Sequence, residues 1–304
     1  MDVGVIGVGV MGRNHVRVYS ELKQAGEVYV YDRDGDATRD VALAYEVTPC
    51  PTVKELLGKV DAVSVCVPTP FHRAVGEEVL AAGVHMLMEK PLCATAAEAR
   101  ELMEKGGDGQ VVGVGHIERF NPIVAEVQRI IRDPVFIEMN RHNPASLRPM
   151  GSSVIEDLMI HDLDILLHVL LGEGYELSAA GNLDAASALF RYDGTAAFVS
   201  ASRKASKKIR RIYIEEDDFT LEGDFMNQEV FTYYRPEQYG IENERYVQEN
   251  IIEKVMVNKV EPLKLELATF LDCARKGTPF PVTMEQAARD LVLCEQVRAL
   301  IGGR

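Results

Sequence analysis

The chain begins Met1-Asp2-Val3-Gly4-Val5-Ile6-Gly7-Val8-Gly9-Val10-Met11-Gly12 and continues RNHVRVYSELKQ over residues 13–24. The apolar, valine-rich run predicts a strand over 2–8, and the stretch after it predicts a helix that opens within the glycine pattern. A G-x-G-x-x-G pattern is short enough to arise by chance. Between a strand and a helix, it has the context in which it binds a dinucleotide. Gly7 then permits the tight turn, Gly9 lets the backbone approach a pyrophosphate, and Gly12 lets the helix pack close to the strand. Val10 and Met11 complete the turn, and the helix start offers its unpaired N–H groups and positive dipole end to the phosphates.

Asp32 stands twenty residues beyond Gly12, at the end of a second predicted strand over 27–31. A carboxylate there accepts hydrogen bonds from the adenosine ribose and repels a 2′-phosphate, which favours NAD over NADP. Arg33 and Arg39 pull the other way, because a nearby arginine accommodates that phosphate. Asp34 and Asp36 read as surface residues of a turn.

Outward from this start, strand-like runs recur at 61–67, 84–88 and 111–115, separated by FHRAVGEEVLAAG and TAAEARELMEKGG, whose apolar residues fall at helical spacing. Strands apolar on both faces and alternating with helices predict a doubly wound parallel sheet. The pattern then changes. A helix near 121–132, a strand VFIEMNRH and an apolar helix over 153–171, capped by Ser152 or Ser153 and stopped at Gly172, lead into successive strands over 176–234. The Asp-Gly of YDGT, residues 192–195, marks a tight hairpin. Two helices, 262–276 and 284–301, close the chain. The fold class is therefore α/β followed by α+β, with a dinucleotide domain over 1–118 and a substrate domain over 119–304, built on a mainly antiparallel sheet.

The 33 basic against 47 acidic side chains leave a net charge of −14, a field that repels a polyphosphate backbone and argues against nucleic-acid binding. Residues 203–211 hold six basic side chains and no acid. They read as a solvated turn and strand edge, with a patch for substrate phosphates or an acidic partner as the alternative. No apolar run is long enough to cross a bilayer, and the chain opens directly on the strand and glycine motif without a basic leader segment, so a cytoplasmic protein is expected. The five cysteines lie far apart without zinc-site spacing and read as buried thiols of a reducing compartment.

Within the helix over 153–171, Asp157, His161, Asp164 and His168 follow at steps of four, three and four, which gathers them into one stripe. Asp164 and His168 read as a solvent-facing edge. Asp157 precedes His161 by one turn, where it can orient the imidazole and raise its basicity, as a general base for an alcohol proton requires. The same pair could hold a metal with His142, but no further His/Cys cluster supports that, and no metal is expected. Glu89-Lys90-Pro91 follows the strand at 84–88. The carboxyl end of a parallel strand is where ligands bind in this architecture, and an ammonium there stabilises a developing alkoxide.

Several motifs together carry a family resemblance: Gly7-x-Gly9-x-x-Gly12, Pro68-Thr69-Pro70-x-His72, Glu89-Lys90-Pro91, Asp157-x-x-x-His161-Asp162-x-Asp164, and Glu261-Pro262-Leu263-x-x-Glu266-Leu267 with Phe270-Leu271. In this order, across nearly the whole chain, they resemble the glucose–fructose oxidoreductase and inositol dehydrogenase (Gfo/Idh/MocA) family. The resemblance implies a Rossmann domain, then a substrate domain whose open sheet face forms dimers or tetramers. It also implies that Lys90, Asp157 and His161 are the catalytic group, that Pro68, Thr69 and His72 lie beside the nicotinamide ribose, and that Glu89 lies beside the ribose hydroxyls. Residues 115–122, GHIERFNP, with Arg141, Pro144 and Arg148, are similar to the UDP-N-acetylglucosamine 3-dehydrogenase branch of that family, which oxidises a sugar 3-hydroxyl with NAD. Arg141 and Arg148 then become forks for a diphosphate or carboxylate. Arg119 reads equally as a substrate contact or as a residue salt-bridging two domains. The rivals are an inositol or free-sugar dehydrogenase, and a non-enzymatic regulator that binds NAD and a sugar with the same body.

Overall fold

Six short strands lie parallel in one sheet: β1 (Val3–Ile6), β2 (Val28–Tyr31), β3 (Thr48–Pro49), β4 (Ala62–Val65), β5 (His85–Glu89) and β6 (Val112–Gly115), in the order β3-β2-β1-β4-β5-β6. The computed structural model describes residues 1–107, 109–144, 153–235, 239–242, 245–248 and 251–302, with the backbone alone over 239–242 and 245–248. Helices α1 (Val10–Glu21), α2 (Gly35–Tyr45), α3 (Val53–Leu57), α4 (His72–Ala81) and α5 (Ala96–Met103) connect the strands. Strand order reverses beside β1, which pairs with β2 on one side and β4 on the other. That reversal opens the crevice in which such sheets bind ligands. The edge strand β3 has only two residues, too few to leave a sequence signal.

The core of this sheet is aliphatic, with Val3, Val5, Ala62, Val63, Val65 and Met86 at 0% exposure. Local chemistry sets the helix starts. Asp34 accepts the Asp36 and Ala37 N–H groups at the start of α2, while Thr52 and Thr95 cap α3 and α5. By contrast, α1 starts at Gly9 with no side-chain cap and no acid in its first turn.

A second sheet has eight strands. With β7 (Phe136–His142), β8 (Glu176–Gly181), β9 (Ala185–Arg191), β10 (Ala196–Ser202), β11 (Ile209–Glu215), β12 (Phe219–Asp224), β13 (Glu229–Tyr234) and, past the hairpin β14 (Tyr239–Glu242) and β15 (Arg245–Gln248), β16 (Ile251–Val255), the order is β16-β13-β12-β11-β7-β10-β9-β8. All pairs are antiparallel except β7 with β10. Strand β7, first in sequence, enters the middle of the later meander. The expected hairpin joins β9 to β10, closed by the Tyr192 N–H on the Thr195 carbonyl at 2.9 Å.

One face of this sheet buries Ile137, Met139, Val199 and Ile212 under α6 (Pro122–Ile130) and the helical run over 155–170. That run is α7 (Ile160–Ile165) with a wide π-turn on each side, Ile155–Met159 and Leu166–Leu170. Ser153 caps it by accepting the Ile155 N–H, whereas Ser152 lies outside the described residues. The other face, which no described helix packs against, carries half-buried Phe136, Phe198, Tyr213 and Phe231 beside exposed Leu189.

The last helices, α8 (Pro262–Lys276) and α9 (Met284–Gly302), were expected with the second sheet. The chain instead divides into Met1–Phe120 with Glu261–Glu295, and Asn121–Val260 with Gln296–Arg304. The reason is apolar packing. Leu263, Leu267, Phe270 and Leu271 of α8 join the core of the first sheet, Phe280 stacks 5.4 Å from Phe120, and the Val282 carbonyl accepts the Val114 N–H at 3.1 Å.

Candidate active site

In the first unit the glycine turn has the geometry its sequence anticipates. Gly7 holds φ +91°, and a Cβ there would come within 2.8 Å of the Cys66 carbonyl. A Cβ on Gly12 would collide with the Gly7 carbonyl oxygen, while one on Gly9 would meet nothing within 4 Å. Two glycines thus bring helix and strand together, and the third leaves open space above the uncapped N–H groups of α1. Val10 is 81% exposed and Met11 half-buried at this rim. A pyrophosphate fits such a cradle because its charge meets N–H donors and no side chain obstructs it.

Asp32 closes the cradle. Its Oδ2 accepts the Val8 N–H at 2.7 Å and its Oδ1 the Asp34 N–H at 2.9 Å. Arg33 is exposed beside it, and Arg39 is turned onto Asp36.

At the carboxyl ends of β4 and β5, Pro68 is exposed, Thr69 and Lys90 are half-buried, and His72 and Glu89 are buried. Two of these turn inward. Glu89 has Oε1 3.0 Å from His15 Nε2 and Oε2 accepting the Lys90 N–H at 3.2 Å. Burial opposes its ionisation, but the His15 hydrogen bond and nearby positive charge outweigh burial and hold the carboxyl below its usual range. His72, also expected beside the ribose, is 1% exposed and lies between the backbone carbonyls of Val67 and Pro91, 2.8 Å from each. The sequence carries no signal for His15, because it belongs to the apolar stripe of α1, where a histidine has no distinguishing spacing. Arg119 is half-buried, on the short helical turn Ile117–Phe120.

In the second unit His161 is 8% exposed and Asp157 half-buried, with Asp157 on the π-turn that precedes α7. Asp164 is 1% exposed, which corrects its reading as a solvent-facing edge, and His168 is half-buried. The π-turns alter the angle per residue, so spacing computed for a regular α-helix misplaces these side chains.

Arg141 is also corrected. It is 1% exposed, and its Nε and Nη2 donate to Asp162 of α7 at 2.7–3.1 Å, with the guanidinium 5.5 Å from the Phe225 ring centre. The expected substrate fork is a buried tie between β7 and α7. Arg148 lies outside the described residues. His142, weighed as a metal ligand, lies on the uncovered sheet face with Nε2 2.9 Å from Ser200 Oγ. In the basic stretch, Lys204 and Arg203 pair with Asp184 at 3.0 and 3.7 Å, as a solvated strand end would.

A parallel sheet with an open glycine cradle and an acid at the end of β2 defines a dinucleotide-dependent enzyme. Residues 1–116 match the oxidoreductase family described as having an NAD-binding Rossmann fold. UDP-N-acetylglucosamine 3-dehydrogenase of Acidithiobacillus ferrooxidans is 32% identical over 315 residues, covering 99% of this chain and 97% of that protein. Its solved structure aligns with a TM-score of 0.89 over 100% of this chain and 98% of its own. Inositol 2-dehydrogenase 1 of Saccharopolyspora erythraea is 32% identical over 184 residues, 56% of this chain and 55% of that protein. Levoglucosan dehydrogenase in complex with NADH and levoglucosan shares the fold, with a TM-score of 0.84 at 16% identity. The chain belongs to the Gfo/Idh/MocA family of NAD-binding oxidoreductases.

Proposed function

We propose that the protein oxidises a secondary hydroxyl of a nucleotide-sugar, the 3-hydroxyl of UDP-N-acetylglucosamine, with NAD as acceptor. The observation that carries the cofactor half is the Asp32 carboxylate, held by the Val8 and Asp34 N–H groups beside the open cradle. A fixed negative charge there accepts ribose hydroxyls and disfavours the 2′-phosphate of NADP. Likeness over 99% of the chain to an enzyme named for UDP-N-acetylglucosamine supports the substrate half.

Bound NAD supplies the hydride acceptor. The N–H groups from Gly9 to Gly12 bind the pyrophosphate, and Pro68 and Thr69 border the nicotinamide end. The Lys90 ammonium hydrogen-bonds the reacting hydroxyl and stabilises the alkoxide. His161 takes the hydroxyl proton, and Asp157 supports the imidazolium that results. Arg119 and Arg148 remain the candidates for substrate phosphate or carboxylate. The uncovered face of the second sheet, with Phe198, Tyr213, Phe231 and Leu189, is the proposed surface of a homo-oligomer. Among the described residues no helix is long and apolar enough to cross a membrane. The proposed working place is the cytoplasm.

NADH formation measured with UDP-N-acetylglucosamine, free hexoses and inositols in parallel tests this reading. Turnover is expected with the nucleotide-sugar. Turnover confined to inositols or free sugars replaces the substrate, and none with any sugar leaves a regulator that only binds.

A further inference from the structure

His72 opens α4 with its ring buried between two loops. Nδ1 lies 2.8 Å from the Pro91 carbonyl oxygen and Nε2 2.8 Å from that of Val67. A carbonyl oxygen can only accept. A neutral imidazole has one N–H, so in that form one of these contacts would set a ring lone pair against an oxygen lone pair. Only the doubly protonated ring donates to both.

Burial, the strongest influence, pulls the ring's pKa below its ordinary value, against the Val67, Pro91 and Leu92 backbone groups and the Glu89 carboxylate, which push the other way. Glu89 is itself held ionised by the His15 hydrogen bond and the Lys90 and His72 charges. The imidazolium thus has a counter-charge and two acceptors, which are the conditions under which a charge survives burial. The neutral ring has one buried contact that no proton fills.

We propose that His72 is a positioning residue that works as an imidazolium, a buried cationic clamp joining the loop after β4 to the Lys90-Pro91 turn. One carbonyl belongs to Val67, the residue before Pro68-Thr69, and the other to Pro91, the residue after Lys90. Holding both fixes the backbone from which the Lys90 ammonium projects. The positioning role rests on Lys90 being the catalytic ammonium proposed above, whereas the charge state does not.

The full chain labelled with 15N-histidine is read by long-range proton–nitrogen correlation of the imidazole rings, with His72→Gln identifying the His72 signals. Both ring nitrogens of His72 should be protonated at neutral pH, and a single neutral tautomer there overturns the clamp. In steady-state kinetics His72→Gln should lower kcat on the order of tenfold to a hundredfold, with the KM for NAD changed less than about threefold. A kcat within about twofold of the unaltered enzyme overturns the positioning role. Should that variant not fold, the unaltered enzyme decides: loss of the second His72 proton and the alkaline fall of kcat must share one midpoint, and separate midpoints overturn the positioning role. Absence of turnover with every sugar counts against the proposed reaction and leaves the nitrogen spectrum to judge the clamp.

Discussion

The Oδ2 atom of Asp32 lies 2.7 Å from the backbone nitrogen of Val8, so the acid at the end of β2 is bonded directly into the glycine turn that follows β1. Its other oxygen takes the Asp34 N–H, which leaves the carboxylate with a single orientation. One residue therefore shapes the cradle and supplies its negative charge.

Asp32→Ala should damage both at once. Two hydrogen bonds to a charged acceptor are lost, worth about 1–3 kcal/mol of stability at a half-exposed site. NAD affinity should fall on the order of tenfold or more. NADH fluorescence titration and thermal denaturation read the two effects, and a variant unchanged in affinity would remove Asp32 from the cofactor site.

Lys90 separates binding from chemistry. Its ammonium is proposed to act on the alkoxide and not on the dinucleotide phosphates, so Lys90→Ala should lower kcat by about 10²–10³ while NAD affinity stays within about twofold. Equal losses in affinity and rate would show that Lys90 mainly holds the cofactor.

Arg141 and Asp162 form a buried pair with both side chains almost inaccessible. Removing one partner takes a buried counter-charge from the other, so Arg141→Ala and Asp162→Ala should each destabilise by about 3–5 kcal/mol. The double variant Arg141→Met with Asp162→Leu, which leaves no stranded charge, should lose much less. Chemical denaturation of the three variants checks this. A single variant as stable as the unaltered protein would contradict the buried tie.

Glu266 of α8 is fully buried, with no hydrogen-bond partner for either carboxyl oxygen among the described residues, and burial reinforced by the Glu89 charge raises its pKa well above the usual range. The native state therefore keeps a proton that the unfolded chain releases. Its contribution to stability is complete below the unfolded carboxyl range and is lost as pH rises towards the folded value. Glu266→Gln has no proton to lose, so its stability relative to the unaltered protein should improve from acid to alkaline pH, by at most about 1.4 kcal/mol per pH unit. Melting temperatures of both proteins across that range decide it, and a constant difference would mean that Glu266 is ionised in the fold.

Elements with a local cause are legible in the amino-acid order. Gly12 is required by its approach to the Gly7 carbonyl inside one strand-turn-helix unit and Gly7 by the positive φ of that turn, Asp32 falls at a strand end set by the spacing of that unit, and Asp-Gly at 193–194 specifies its own hairpin. The parallel sheet and the family could be read from the same short-range patterns. Where polar side chains spend their hydrogen bonds is fixed by long-range packing. Arg141 looked like a substrate fork because its partner, Asp162, lies 21 positions away on another element. Glu89 turned inward because α1 places His15 beneath it, 74 positions earlier. Helix α8 joined the first sheet because its apolar face matches that core, although more than a hundred residues of another sheet intervene. Spacing along a chain predicts which side chains share a face. What that face meets depends on contacts between distant segments, which no local pattern encodes.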